Sequence, residues 1–165
     1  MKKVLIFTLI MVFQSNLVNS QCLSLSELTN VTTMDIEDQD KLLSSKGYSL
    51  TDNKYNLIES SIEWHNQESD VYINIIGGKD HFYNLQLRFK NSNCFESIRE
   101  EMIKKGFKKD YEKNSKSNTL YFYYSSNDFG VILTKWKAPE NYKGNFSNLV
   151  LFSKQDYLNE LEKER

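Results

Sequence analysis

The chain has 165 residues, with 21 Lys and Arg against 22 Asp and Glu, a net charge of −1. Without a basic excess there is no electrostatic footprint for nucleic acid. Ten Tyr, ten Phe, two Trp and a single proline, Pro139, describe a β-rich folded domain rather than a disordered chain.

Residues 1–20 read as a secretory signal peptide: basic MKK, apolar VLIFTLIMVF, then polar QSNLVNS ending in small Ser20. The apolar run is too short to cross a bilayer of about 30 Å as a helix, which takes roughly 20 residues. Val18 and Ser20 suit the positions before cleavage. The expected mature chain therefore begins at Gln21, carries 19 basic against 22 acidic residues and has no membrane span. Its expected location is the periplasm or outside the cell. Two alternatives stay open: a retained N-terminal anchor, and a lipoprotein cleaved before Cys22, against which stands the bulky Gln21. An exported chain meets an oxidising compartment, so Cys22 and Cys94 are either bonded to each other or buried as free thiols.

In chain order, LSLSELT is a short helical turn, and a helix follows from Thr33 or Asp35, bearing Ile36, Leu42 and Leu43 and stopped by Gly47. Its acidic start, MDIEDQD, suits a helix N-terminus. A calcium loop needs Gly at its sixth position and a distal Glu, and neither is there. The strand SIEWHN turns Ile62 and Trp64 inward and Glu63 and His65 outward. After the hairpin signal NQESD comes VYINII, which Gly77-Gly78 joins by a tight turn to HFYNLQLRF, with Tyr83, Leu85, Leu87 and Phe89 inward. CFESIREEMIKKGF places Phe95, Ile98, Met102 and Ile103 on one helical face, capped by Asn93 and ended by Gly106. TLYFYY turns Leu120 and Phe122 inward and Tyr121 and Tyr123 outward. A turn at SSNDFG leads into GVILTKW, and NFSNLVLF and a last helix carrying Tyr157, Leu158 and Leu161 complete the chain.

These segments recur. A slide of 59 residues superposes Leu43 on Met102, Gly47 on Gly106 and Tyr48 on Phe107, and a slide of 64 superposes two F-x-N-L-x-L strands, Phe82–Leu87 and Phe146–Leu151. The expected fold is α+β, a single globular domain over 21–165 built of two tandem helix-plus-four-strand antiparallel units. The units would span about 21–92 and 93–165, with helices on one face of the sheet and the opposite face uncovered.

Nucleotide-binding, P-loop, zinc-protease, serine-hydrolase and Cys-x-x-Cys motifs are absent from the sequence, and Asp128-Phe129-Gly130 reads as a turn. Neither a cofactor nor a metal is expected, since two His and two Cys match no ligand spacing. Glu63 and His65 share a strand face, the arrangement a hydrolase would use and also that of an ordinary solvated pair; His81 falls at a hairpin exit. The unusual feature is aromatic: Tyr72, Tyr121, Tyr123 and Phe146 take outward strand positions, where exposed rings mark contact surfaces. The alternative is that this face packs between the units or beneath the last helix.

From Gln21 to about Tyr157 the chain resembles small exported proteins of Bacteroidetes with no assigned function, through QCLSLSEL, LLSSKGY and NCFESIREEMIKKGF. In layout, tandem helix-plus-four-strand units look like the β-lactamase-inhibitor proteins, which display a concave sheet of aromatics to a partner enzyme. The function expected is a non-enzymatic binding or inhibitor-like module for a protein partner, with Tyr72, Tyr121, Tyr123 and Phe146 as binding residues. The alternatives are an immunity-type protein against a secreted toxin, a hydrolase using Glu63 and His65, and a structural envelope role.

Overall fold

The computed structural model describes residues 22–55, 60–77, 82–89, 92–115, 118–136 and 147–164. Helix α1 (Leu25–Val31) begins where Ser24 caps it: its hydroxyl accepts from the Glu27 N–H, and the Glu27 carboxylate accepts from the Ser24 N–H at 2.8 Å. Helix α2 (Ile36–Ser45) starts at Asp35, whose carboxylate accepts from the Asp38 N–H at 2.9 Å. Helix α3 (Ser92–Lys104) begins one residue before Asn93, so the expected cap is already inside the helix. Its buried stripe is Phe95, Ile98 and Met102; Ile103, expected on the same face, is 55% exposed.

Gly47 and Gly106 end α2 and α3 in the left-handed region, both at φ +82°. In each case the following residue donates back across the turn, Tyr48 N–H to Leu43 O and Phe107 N–H to Met102 O, each at 3.0 Å. Leu43 and Met102, which supply those carbonyls, are fully buried.

The strands are β1 (Ser49–Tyr55), β2 (Ser60–Asn66), β3 (Val71–Gly77), β4 (Phe82–Phe89), β5 (Lys108–Asn114), β6 (Thr119–Ser125), β7 (Phe129–Trp136) and β8 (Ser147–Ser153). They form a single eight-stranded antiparallel sheet in the order β1-β2-β3-β4-β8-β7-β6-β5. This overturns the expected division into two tandem helix-plus-four-strand units. The two F-x-N-L-x-L strands are neighbours at the centre of one sheet, where Leu85 pairs with Leu151 and Leu87 with Leu149. The inward side chains of these strands, Leu85, Leu87 and Phe89 beside Ser147, Leu149 and Leu151, belong to one continuous core, and a boundary between units would have to cut through it.

The edge strands β1 and β5 each carry a register irregularity, at Leu50/Asp52 and at Lys109/Tyr111, and β5 is lysine-rich. Bulges and charge are the usual protection of an unpaired edge.

Helices α1 to α3 lie over the inner face, where Trp64, Ile73, Leu85, Leu87, Leu149 and Leu133 form the main core. The fourth helix, α4 (Lys154–Glu164), does not join them. It packs on β7 and β8 from the opposite side, burying Tyr157 and Leu161 against Tyr111, Tyr121, Tyr123, Ile132 and Phe152. The expectation of helices on one face is thereby corrected as well. The physical reason lies in the outward side chains of β6 to β8, which are apolar enough to need a cover of their own.

The N-terminal segment is tied to the second half of the chain. Cys22 and Cys94 form a disulfide with Cα atoms 5.4 Å apart, and the Glu101 carboxylate on α3 accepts from the Leu25 N–H of α1 at 2.7 Å. Gln39 holds α2 to the end of α1 by donating from Nε2 to the carbonyls of Val31 and Met34. Asn66 anchors the turn after β2: its carbonyl oxygen accepts from the N–H groups of Glu68 and Ser69, and its amide donates to Lys46 O. The turn expected after Gly77 and His81 fall in the segment 78–81, outside the described residues.

Candidate binding surface

Strand pairing puts the outward side chains into rows that run across the sheet from β2 to β6. One row runs His65, Tyr72, Arg88, Asn148, Thr134, Tyr121 and the next Glu63, Asn74, Gln86, Val150, Ile132, Tyr123. Each row is polar where it crosses β2 to β4 and becomes apolar or aromatic toward β6. The change coincides with α4, which covers only the latter half. Polar side chains left in water need no cover, whereas a sheet of Tyr, Ile and Phe does.

On the covered half, Tyr157 is fully buried and its hydroxyl donates to Asp110 Oδ2 at 2.7 Å. Lys113 and Glu164 pair at the helix end, tying β5 to α4. Tyr123, expected to face a partner, is 3% exposed. Burial, with the Glu164 carboxylate second, pushes its hydroxyl up to about 12. Tyr121 is half-buried in the same cluster, and Tyr111 tilts against Tyr123 with ring centroids 5.5 Å apart. The alternation that set Tyr121 and Tyr123 opposite Phe122 is seen, but α4 takes the place of the partner. Phe146 lies outside the described residues.

The open half is ordered by contacts across and along the strands. The His65 and Tyr72 rings stack at 4.0 Å with their planes 9° apart, and His65 Nε2 lies 3.2 Å from Asp70 Oδ1. Ser61 donates to Asn74 Oδ1 at 2.9 Å, and Gln86 donates to Asn84 Oδ1 at 3.0 Å. Arg88, between Tyr72 and Asn148 in the register, is exposed and makes no ion pair among the described residues. Tyr72, Asn74, Gln86, Arg88 and Asn148, with Glu63, Thr134 and Val150, line a shallow depression of ≈ 180 Å³.

Glu63 and His65 have separate partners in this arrangement: Glu63 accepts from Thr51 Oγ1 at 3.1 Å, while His65 is occupied by Asp70 and the Tyr72 ring. Of the expected binding residues that fall among the described ones, only Tyr72 stands on the open half. Sequence reading did not single out Asn74, Gln86, Arg88 or Asn148. Their signal was the same alternation: Tyr72 and Asn74 flank buried Ile73, and Gln86 and Arg88 flank buried Leu87. Among the described residues, no group of three or more His, Cys, Asp or Glu is placed to hold a metal ion, and no helix is long and apolar enough to cross a membrane. Comparison of the chain with protein-family models, curated proteins and solved structures returns no match.

Proposed function

We propose that the chain is an exported, non-enzymatic binding module that engages a protein partner through the open half of its outer sheet face. The observation that carries this reading is the division of that face: α4 covers the aromatic half, and outside its cover His65, Tyr72, Asn74 and Asn148 are half-buried and Gln86 and Arg88 exposed. Tyr and Arg are among the side chains that most often anchor protein interfaces, and the surrounding amides supply directional hydrogen bonds. Sheet register fixes the backbone beneath these groups and the stack on His65 holds the Tyr72 ring, which limits the freedom lost on association. Neutralising a secreted toxin, as an immunity-type protein does, is one form of this reading. The Cys22–Cys94 bridge supports export, because such bonds persist in oxidising compartments.

The test is capture by immobilised mature protein from envelope and culture fractions, compared with the Tyr72→Ala/Arg88→Ala double variant. The expected result is one defined protein retained by the native chain and lost with the variant, at unchanged thermal stability. Equal retention by both proteins would refute the assignment of the face.

A further inference from the structure

The depression on the outer face lies between two neighbouring rows of outward side chains. Tyr72, Arg88 and Asn148 stand on one bank, and Glu63, Asn74 and Gln86 on the other. Tyr72, on β3, is flanked in register by His65 on β2 and Arg88 on β4. The His65 ring covers one of its faces at 4.0 Å, so the other face is turned toward Arg88 and the depression. A ring held in this way is a flat apolar wall set beside polar groups.

The polar groups on the two banks are of both kinds. The amides of Asn74, Gln86 and Asn148 each donate and accept, the Arg88 guanidinium only donates, and the Glu63 carboxylate, when ionised, only accepts. Each is planar and presents two polar atoms side by side, the arrangement that meets two adjacent hydroxyls of one ring. An anion would lie beside the Glu63 carboxylate and a cation beside Arg88. An apolar ligand would strip water from the amides without replacing its hydrogen bonds. A sugar ring avoids all three penalties: its hydroxyls donate and accept around the rim, and its C–H groups form an apolar face for Tyr72. The volume of ≈ 180 Å³ falls below the about 300–1,000 Å³ of pockets for drug-sized ligands and suits one ring rather than a chain of them. We infer that the depression is a subsite for one neutral pyranose ring, packed by its C–H face on Tyr72 and held through its hydroxyls by Asn74, Gln86, Arg88 and Glu63. On the proposed reading, on which this depends, that ring belongs to a glycan carried by the protein partner.

The probes are the methyl glycosides of β-glucose, β-galactose, α-mannose and N-acetyl-β-glucosamine, with sorbitol, an open-chain polyol that has hydroxyls but no rigid face, as control. Each is titrated into the ¹⁵N-labelled mature protein and followed by amide chemical shifts. One glycoside is expected to shift Tyr72, Asn74 and Gln86 saturably with a Kd of about 1 mM, and the others to bind about 5-fold more weakly, the scale of one hydrogen bond. Sorbitol should not saturate. Tyr72→Leu should abolish the titration. Gln86→Ala, at an exposed position whose side chain bonds only Asn84 among the described residues, should weaken it about 5-fold and leave the rest of the spectrum in place. The same glycoside should also elute the protein that the immobilised chain retains from culture fractions. No saturation by any glycoside, sorbitol binding as tightly as the best of them, or shifts mapping to another surface would overturn the subsite, while a protein still retained would leave the partner-binding face standing. Saturation at Tyr72 and Gln86 with no protein retained would uphold the subsite and refute the protein partner.

Discussion

A Cβ placed on Gly130 would lie 1.9 Å from Cγ of Tyr157. The missing side chain in β7 is what admits the Tyr157 ring, and with it the whole of α4, to the outer face. Gly130→Ala must therefore expel the ring, together with its hydrogen bond to Asp110. The expected loss is about 3–5 kcal/mol, comparable to truncating a buried aromatic. Tyr157→Phe, which deletes only the hydroxyl, should cost about 1 kcal/mol. Urea unfolding of the two variants measures both, and a Gly130→Ala cost near zero would mean that α4 docks differently.

The two helix-ending glycines separate backbone strain from crowding. Both stand at φ +82°, where a Cβ costs about 1–2 kcal/mol. Around Gly106 an added Cβ meets nothing within 4 Å, whereas at Gly47 it would sit 3.2 Å from Asn66 Nδ2 and press on the bond from Asn66 to Lys46. Gly47→Ala should therefore destabilise more than Gly106→Ala. Thermal unfolding of the pair checks the order, and a reversal would contradict it.

The disulfide closes a loop between residues 72 apart in sequence. Constraint of the unfolded chain by a loop of that length is worth about 4 kcal/mol. Unfolding of the Cys22→Ala/Cys94→Ala variant should show a loss of about 2–5 kcal/mol. A loss below about 1 kcal/mol would mean that Glu101 and the apolar contacts of α1 suffice without the bridge.

Acid should loosen α1 first. Burial acts to raise the carboxyls of Glu27 and Glu101, yet both end below the usual range: Glu27 through Lys46 and the N–H and hydroxyl of Ser24, Glu101 through the Leu25 N–H and Lys105. A carboxyl depressed in the folded state takes its proton more readily in the unfolded chain. Its stabilisation is therefore full above the unfolded pKa, about 4.3, and is lost as pH falls through the lower folded value. Unfolding free energy should drop with acid below about pH 5, and Glu27→Gln with Glu101→Gln should flatten that slope. An unchanged slope in the double variant would assign acid sensitivity to other groups.

Much of the local structure was legible. Glycine is the residue that enters positive φ freely, so Gly47 and Gly106 announced their helix ends. Alternation located Trp64, Leu85, Leu87 and Phe89 on the inner face. Strand partnership was not legible, because it is decided by long-range packing. The likeness of β4 and β8 was read as the same position in two units, yet these strands pair with each other in one sheet. For the same reason the fate of Tyr123 could not be read from TLYFYY. It depends on where α4 docks, and that is set by the space at Gly130 and the acceptor at Asp110. The open half was legible only as alternation, since amides and an arginine at outward positions look like any solvated strand face.

On the proposed reading, a partner binds the half of the outer face that α4 leaves uncovered. Site-specific photocrosslinking in exporting cells tests it most directly, with p-benzoylphenylalanine at exposed position 86 on that face and, as control, at exposed position 37 on α2. The predicted result is one defined protein adduct from position 86, lost on adding Arg88→Glu, and none from position 37. Adducts that are equal from the two positions, or none from position 86, would contradict the claim.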